Sequence, residues 1–349
     1  MIRGTSISVV FLLLLAAGSC FHSSVAIGAS GGLTAAQLAV IANTADPLSV
    51  AITNYYVHKR QIPAGNVIRV RFDPARDELP EAEFAKIRAY VEARALSRVQ
   101  AYALTWARPY RVGCMSITAA FAFGFDARFC AGGCELTQQS PYFNAATSKP
   151  YSDLHMRPTM SIAALDLARA KALIDRGVQS DGTMPHGTAY LVAIDDAARN
   201  SRADLEYHNI GSAPVRRGIA IQIVRDAPVH DRDDVMFYFI GAVTVPALAS
   251  NHFLPGAIAD HLTSFGGMLT AESGQMSSLR WLEAGATGSY GTVVEPCNFP
   301  GKFPNIDVVM SHYLAGETLI EAYWKSVAMP GQGLFIGEPL AAPLRAGGS

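Results

Sequence analysis

The residues best suited to chemistry lie in four short segments of the C-terminal half of the chain. They are 241–243 (GAV), 261–267 (HLTSFGG), 272–275 (ESGQ) and 295–298 (EPCN). Each segment follows or closely neighbours a predicted strand. Because parallel strands present their carboxyl ends at one edge of a sheet, where ligands bind, we expect the four segments to meet in one cleft.

The most reactive pair in these segments is a thiol and an imidazole. A thiolate attack needs Cys297 beside a base within hydrogen-bond reach, and His261 follows a neighbouring strand. Glu295 or Glu272 could orient the imidazole. The alternative is structural: Cys297 forms a disulfide, with Cys114 as one candidate partner, or is buried, and His261 is a loop or capping residue.

Backbone groups in the second segment offer a binding site for an anion. Ser264, Gly266 and Gly267 lie close enough in sequence for their N–H groups to form a nest or an oxyanion hole. A tight turn that needs the glycine pair is the alternative.

The third segment predicts a polar cleft floor. Glu272, Ser273 and Gln275 place three polar side chains within four residues between apolar runs. Capping of the helix that follows, by Ser273 or Gln275, is the alternative.

Metal binding has weak support in the sequence. The segments 231–234 (DRDD) and 195–196 (DD) could hold Ca²⁺ through carboxylate oxygens, although solvated loop charges are the alternative. Cys130 and Cys134 have no second Cys/His pair at zinc spacing nearby. We therefore expect no metal site and no cofactor, with Ca²⁺ left open.

Composition limits the partners of the chain. It has 349 residues, with 28 Lys and Arg against 29 Asp and Glu, so no basic excess favours nucleic acid. Half of the residues are hydrophobic and 16% are charged, which is typical of a large buried core. An unidentified ligand or protein is the expected partner.

The first 26 residues predict a signal peptide. Arg3 precedes the apolar run 7–17, and 24–26 (SVA) suits a cleavage site, so the mature chain is expected to begin near Ile27. Lipid attachment at Cys20 is the alternative. The run is short for a membrane span, and no later stretch is long and apolar enough. The sequence thus predicts a bacterial-type secreted protein, periplasmic or extracellular, without an integral membrane segment after signal removal.

Export would place the four cysteines of the mature chain in an oxidising compartment. Cys114, Cys130, Cys134 and Cys297 make an even number in an oxidising compartment, which predicts at least one disulfide. Three pairings are possible, and Cys130 with Cys134 is close enough for local closure.

Alternation of apolar runs and helical patterns predicts an α/β fold with a mostly parallel, doubly wound sheet flanked by helices. We expect two tightly packed halves, 27–180 and 181–349. A long irregular insertion, about 107–158, is either a functional lid or a surface excursion tied by a disulfide. The predicted strands are 37–43, 66–71, 101–106, 187–194, 218–224, 234–245, 286–294 and 334–337.

Five helices are predicted between these strands, including one over 161–176 that Gly177 ends as a C-cap. Another begins with a capping box of Thr318 and Glu321. The predicted helices are 46–63, 81–98, 161–176, 277–284 and 318–328.

Long motifs over nearly the whole mature chain resemble an exported bacterial family of uncharacterised function. They include RPTMSIAALDLARAKALIDRG, ADHLTSFGG, GQMSSLRWLEAGATGSYGTVVEPCN, GETLIEAYWKSV and GQGLFIGEPLAAP.

The C-terminal half distantly resembles the caspase-like domain of gingipain-type cysteine peptidases. The resemblance rests on 278–282 (SLRWL), 285–291 (GATGSYG) and 337–339 (GEP). It implies a strand that ends in Gly-His-Gly and a next strand that ends in the catalytic cysteine. Ala242 stands at the first place and 270–274 (TAESG) at the second, so the resemblance implies that the catalytic His and Cys are absent.

Three functions follow from these patterns. The first is a non-catalytic binding protein on a degenerate peptidase-like fold. The second is a hydrolase with a rearranged site around Cys297 and His261, which a free Cys297 would favour. The third is a structural surface component, which a closed and dry sheet edge would favour.

Overall fold

A computed structural model describes residues 1, 32–132, 134–213 and 215–346. The predicted cleavage site before Ile27 and the alternative lipid site Cys20 lie outside the described residues. The strands are β1 (Leu38–Asn43), β2 (Val67–Val70), β3 (Ala101–Leu104), β4 (Arg111–Val112), β5 (Met115–Ser116), β6 (Thr159–Ser161), β7 (Gly187–Ala193), β8 (Val215–Arg216), β9 (Ile219–Arg225), β10 (Val235–Gly241), β11 (Phe253–Leu262), β12 (Gly288–Thr292) and β13 (Gly333–Gly337).

Helices cover both faces of the main sheet and connect its strands. They are α1 (Pro47–Arg60), α2 (Glu81–Glu92), α3 (Ile117–Phe123), α4 (Pro150–Leu154), α5 (Leu167–Ser180), α6 (Ser201–Gly211), α7 (Leu279–Ala284), α8 (Ile306–Leu314) and α9 (Leu319–Ser326). The predicted capping box opens α9, where the Thr318 N–H donates to the Glu321 carboxylate at 3.0 Å.

One sheet of eleven strands organises the described residues, in the order β2-β1-β3-β6-β13-β12-β11-β10-β7-β9-β8. Most neighbouring pairs are parallel, and β13 is antiparallel to β12. Every residue of β1, β7 and β10 is buried. Such continuous apolar runs are typical of parallel strands covered on both faces. The predicted α/β class with a mostly parallel sheet is confirmed.

The strands before residue 180 form one contiguous block of this sheet, and the strands after it form the other. The two blocks meet at β6 and β13 through a single residue pair, Ser161 and Ile336.

Helix α5 shows how the blocks are oriented. It returns from the carboxyl end of β6, and its Arg176 donates a 2.6 Å hydrogen bond to the carbonyl of Ala286, just before β12. The beginnings of β6 and β12 therefore lie at one edge of the sheet and their carboxyl ends at the other.

The segment 107–158 is more regular and more buried than predicted. It contains the hairpin of β4 and β5 and helix α3, six of whose seven residues are buried. The Ser116 N–H donates to the carbonyl of Gly331 at 2.9 Å, so this segment joins the core beside β13. The predicted lack of regular structure is wrong for the part that holds this hairpin and α3, whereas a disulfide within the segment, Cys114 to Cys130, is present as expected.

The helix predicted over 161–176 also needs correction. Residue 161 ends strand β6, which was not predicted, and α5 continues to Ser180, so Gly177 lies inside the helix and is not its cap. A Cβ atom at position 177 would lie 2.6 Å from the side chain of Glu338. Close approach of a buried glutamate, rather than a left-handed backbone, accounts for this glycine.

Further elements were missed, among them β11, α6 and α8. Strand β11 is ten residues long and contains Pro255 and Gly256, which disfavour a strand assignment, and Asp260 and His261, which are polar yet buried. Its omission matters for function because it changes which residues end the strand beside β10.

Two disulfides connect the four cysteines. Cys114 is bonded to Cys130, and Cys134 to Cys297, with Cα–Cα distances of 5.5 and 5.4 Å. The prediction of at least one disulfide is confirmed, whereas local closure of Cys130 with Cys134 and a bond between Cys114 and Cys297 are wrong. Among the helices that the structure describes, none has the length and apolar composition that crossing a bilayer requires.

Candidate functional site

The predicted cleft segments converge where strands β10 to β12 end. Gly241 is the last residue of β10, residues 242 and 243 follow it, and 263–267 follows β11. The Met276 N–H donates to the carbonyl of Val243 at 2.9 Å, and the Gly267 N–H donates to the carbonyl of Thr292 at 2.9 Å. The structure therefore brings the first three segments together at the carboxyl edge, with 295–298 beyond the end of β12.

His261 is a buried structural residue of β11. Its Nε2 lies 2.9 Å from the carbonyl oxygen of Met276, and its Nδ1 accepts a 2.9 Å hydrogen bond from Nε1 of Trp281. A carbonyl only accepts, so Nε2 carries the proton and the imidazole is neutral. Burial lowers the pKa of His261 to about 4. The residue is not the loop or capping histidine of the alternative, nor an accessible base.

Cys297 is bonded to Cys134 and offers no thiolate. Its N–H donates to Oε1 of the exposed Glu295 at 2.8 Å, so Glu295 stabilises the turn after β12 and does not orient His261. The rearranged Cys297–His261 pair is therefore wrong, because one member is oxidised and the other has both ring nitrogens engaged in the core.

The end of β10 is closed by a neighbouring loop. A Cβ atom at position 241 would lie 1.8 Å from the carbonyl oxygen of Arg199, so Gly241 is in direct contact with that backbone. Ala242, which stands where the resemblance expects a histidine, is buried. Strand order reverses between β7 and β10, a place where ligands commonly bind, but here the segment around Arg199 fills it.

The segment 270–274, predicted to end the strand where the resemblance expects the catalytic cysteine, is a loop. The strand beside β10 is β11, which ends at Leu262. Thr263 and Ser264 therefore follow the strand where the resemblance expects a cysteine. The Thr263 hydroxyl donates to Oε1 of Gln275 at 2.8 Å, and the Ser264 carbonyl accepts from the Thr292 hydroxyl at 2.7 Å.

The glycine pair is explained by packing. A Cβ atom at Gly267 would lie 2.5 Å from the carbonyl oxygen of Gly291, and Gly266 also faces Gly291. The Gly267 N–H is already bonded to Thr292, so it is not available to an anion. Two chain segments cross at backbone contact here, which supports the alternative of a tight turn for the glycine pair.

The polar floor predicted at 272–275 divides into structural and exposed groups. Gln275 Oε1 also accepts from the Phe265 N–H at 2.8 Å, and the Ser273 hydroxyl bonds the backbone of Gln275 at 3.3 Å. These two side chains hold the loop together. Glu272 is exposed and remains open to a partner.

Two of the aspartates that could hold Ca²⁺ are engaged in other contacts. Asp234 accepts hydrogen bonds from Thr188 and Tyr190, and Asp196 pairs with Arg199 at 2.8 Å. Within the described ranges, no group of three His, Cys, Asp or Glu side chains is arranged to hold a metal ion.

A cleft that sequence reasoning missed lies at the same edge, between the ends of β1 and β3. β2 lies on one side of β1 and β3 on the other, so strand order also reverses here, where an open α/β sheet forms a ligand crevice. The cleft has a volume of about 290 Å³. It is lined by Asp46, Leu48, Pro74, Ala75, Ala107, Arg108, Ala164, Leu165 and Thr270.

Opposite charges face this cleft. Asp46 caps helix α1, with Oδ1 accepting the Leu48 N–H at 2.9 Å, and exposed Arg108 follows β3. Neither side chain forms an ion pair with another described residue. Thr270, from the loop after β11, donates to Oδ1 of Asp77 at 3.0 Å and joins the second half of the chain to the cleft.

A rigid hydroxyl network supports the first turn of α1. The Ser49 and Thr105 hydroxyls lie 2.7 Å apart, and that of Thr53 lies 3.0 Å from Thr105. Ser49 also accepts the N–H of Asn43, the last residue of β1. The strands β1 and β3 and the polar residues after them were visible in the sequence, but the order of these strands in the sheet was not.

Comparisons with known proteins leave the chemistry open. No protein-family model and no curated protein matches the chain. Among solved structures, a chain described as a protease is 13% identical, over 90% of this chain and 80% of its own, with a TM-score of 0.48. The Arg-specific cysteine proteinase gingipain R is 10% identical, over 88% and 78%, with a TM-score of 0.48. Membership of the exported family that the motifs resemble stays a prediction.

Proposed function

We propose that this chain is an exported, non-catalytic binding protein that holds a small ligand in the cleft between the ends of β1 and β3. The observation that carries the proposal is that Asp46 and Arg108 both line one crevice at a reversal of strand order. Two opposite charges that do not neutralise each other or a neighbour are suited to a ligand that carries both an acid and an amine.

The size and the walls of the cleft favour a small ligand. Its 290 Å³ lies just below the usual range for small-molecule sites, about 300–1,000 Å³. The guanidinium of Arg108 can bind a carboxylate through two parallel N–H groups. Leu48 and Leu165 supply apolar surface beside it. An amino acid or a dipeptide has this combination of charge and size.

The absence of catalysis is proposed from the residues at the carboxyl ends of β7 and β10 to β12, where strand order also reverses. The candidate nucleophile Cys297 is oxidised, the candidate base His261 is buried, and Arg199 lies against Gly241. Export is supported by the two disulfides, which persist in oxidising compartments.

Calorimetric titration with a panel of amino acids and dipeptides tests the binding site. We expect at least one member to bind, and Arg108→Gln to weaken that binding about tenfold or more. Asp46→Asn keeps the helix cap and removes the charge, so it isolates the electrostatic contribution. Arg128→Gln, which removes an exposed arginine elsewhere, is the matched control and should leave affinity within about twofold.

Two results would count against this function. If no panel member binds at about 10 mM, the cleft is not a site for such ligands and a structural surface component is favoured. Hydrolysis of a labelled unfolded protein that Ser264→Ala abolishes would instead establish an enzyme, because Ser264 follows the strand beside β10.

A further inference from the structure

A second cleft lies between helix α2 and the chain at the end of helix α3. One wall is the exposed side of α2, and the other is the segment 123–126. The volume is about 650 Å³, which falls within the range of small-molecule sites. This cleft shares no residue with the one between the ends of β1 and β3.

The wall formed by α2 carries two opposite charges with small side chains between them. Glu81, Ala85 and Arg88 are spaced by four and three residues, so they lie along one face of the helix. Ala82 and Ala89 flank this face and leave the space above it open. The two charged residues are about 10 Å apart along the helix axis, which is too far for a direct ion pair between neighbouring turns.

The opposite wall and the floor of the cleft are aromatic. Phe123 and Phe125 are partly exposed where they line it, and Phe84 is buried beneath them. The ring of Phe123 is stacked on that of Phe129, with centroids 4.6 Å apart, and Phe84 meets Phe121 edge to face at 5.2 Å. These contacts with the core hold the apolar walls in place.

Arg88 brings a guanidinium with free donors to the cleft. Its side chain is only 32% exposed, and its Nε is shielded from solvent but donates to no acceptor among the described residues. The carboxylate of Glu92 lies 3.9 Å from Nη2, beyond hydrogen-bond distance, and is bonded to the buried Arg157. Because a buried donor without an acceptor is unfavourable, an anion that reaches this guanidinium is favoured.

Packing alone does not account for the setting of Arg88. Other arginines of this chain with a structural role donate to backbone carbonyls, Arg157 through Nε at 3.0 Å and Arg176 through Nη2 at 2.6 Å. Arg88 lies instead against Gly124 of the opposite wall, where a Cβ atom would be 3.1 Å from Nη1. The glycine lets the guanidinium approach the backbone there, beside the open space of the cleft.

The acidic groups of the cleft limit the charge of a ligand. Asp126 is paired with Arg128 at 2.6 Å, so its charge is already neutralised. Glu81 is exposed and forms no ion pair with another described residue. A single carboxylate matches the single guanidinium of Arg88, whereas a dianion such as a phosphate would be repelled more strongly by Glu81.

We propose that this cleft binds a monocarboxylic acid with an apolar body. Arg88 would hold the carboxylate through two parallel N–H groups. The body of the ligand would lie between Ala85 and the rings of Phe123 and Phe125, where it is removed from water. The inference does not rest on the proposed function, because the two clefts have separate linings.

Hydrocinnamate is the probe, hydrocinnamamide is the same body without the charge, and acetate is the charge without the body. In calorimetric titrations of the full chain, hydrocinnamate should bind at least about tenfold more tightly than either analogue. Arg88→Gln should weaken its binding about tenfold and abolish the preference over hydrocinnamamide. Phe125→Ala should reduce the preference over acetate. Glu81→Gln should strengthen binding by about twofold or more, because it removes a repulsive charge.

Lys86→Gln is the matched control, since it removes one positive charge from an exposed residue of α2 that does not line the cleft. It should change affinity for hydrocinnamate by less than about twofold, and so should Arg108→Gln in the other cleft. The inference is overturned if hydrocinnamate binds no more tightly than hydrocinnamamide, or if Lys86→Gln weakens binding as much as Arg88→Gln. Unchanged affinity in Glu81→Gln, which alters an exposed side chain, would also overturn it. Failure of the amino-acid panel at the other cleft affects none of these results.

Discussion

Nε1 of Trp281 donates a 2.9 Å hydrogen bond to Nδ1 of His261, and both residues are buried. The tryptophan fixes the tautomer of the imidazole, whose Nε2 proton then binds the Met276 carbonyl. His261 thus connects strand β11 to helix α7 and to the loop before it. A residue that the sequence offered as a base is used to hold the carboxyl edge of the sheet in place.

Acid should destabilise the protein through His261. Its folded pKa of about 4 lies below the ordinary 6.5, so the unfolded chain binds more protons between these values. Stability therefore falls as the pH falls from about 6.5 to 4, by about 3 kcal/mol for this group. His261→Gln, which keeps a donor and an acceptor but does not titrate, should lose this part of the pH dependence in urea denaturation.

His58→Gln is the control for this pH dependence. His58 is an exposed residue of α1, and its replacement should leave the pH profile of the free energy of unfolding within about 0.5 kcal/mol. A variant His261→Gln with the same loss of stability in acid as the unaltered protein would refute the assignment.

The disulfide from Cys134 to Cys297 should contribute more stability than that from Cys114 to Cys130. The first closes a loop of 163 residues and the second one of 16. Chain entropy alone gives about 5 and 3 kcal/mol, respectively. Paired Cys→Ser replacements compared by urea denaturation measure the difference. Peptide mapping without reduction should recover both bonds, and a peptide that links Cys130 to Cys134 would contradict the structure.

The pattern of apolar residues predicted those helices and strands that have one or both faces apolar. Runs such as Leu38–Asn43 and Gly187–Ala193 are buried throughout, and their apolar residues gave both the element and its parallel setting. β6 has only three residues, too few for a period. β11 was missed because Pro255 and Gly256 interrupt it and Asp260 pairs inside the core with Arg202 at 2.7 Å.

The candidate site was predicted less well because long-range pairing decides it. Cys297 and His261 have the residue types of a catalytic pair, and only the partners Cys134 and Trp281 show that they are structural. Asp46 and Arg108 were not selected, because their proximity depends on the order of β1 and β3 in the sheet. Residue type along the chain does not contain that information.

Glu338, the residue after β13, should be essential for holding helix α1 against the sheet. Its buried carboxylate binds the guanidinium of Arg60, with Nε at 3.1 Å, and accepts a 2.7 Å hydrogen bond from the hydroxyl of Tyr56. Glu338→Ala removes the buried partner of Arg60, leaving it only the part-exposed Asp181, and leaves the Tyr56 hydroxyl without its acceptor. The free energy of unfolding should therefore fall by about 3 kcal/mol. The exposed pair of Asp166 and Arg169 is the control, and Asp166→Ala should remove no more than about 1 kcal/mol beyond its capping contribution.

Replacement of Gly177 by alanine should lower the stability of the protein, although the same replacement inside a helix usually raises it. Alanine in place of glycine inside a helix normally stabilises by about 0.5–1 kcal/mol. Here the new methyl group would lie 2.6 Å from Cγ and Oε2 of Glu338, which Arg60 and Tyr56 hold in place. We therefore expect Gly177→Ala to destabilise by about 1–3 kcal/mol, as overpacking does.

Two comparisons isolate the steric cause of the Gly177→Ala effect. Gly65→Ala introduces a methyl group 3.8 Å from Leu96, an ordinary contact, and should change stability by less than about 0.5 kcal/mol. In the background of Glu338→Ala the obstructing side chain is gone, so Gly177→Ala should lose most of its cost, and the double-mutant cycle should give a coupling of about 1 kcal/mol or more. Equal costs of Gly177→Ala in both backgrounds would mean that the glutamate is not what requires the glycine.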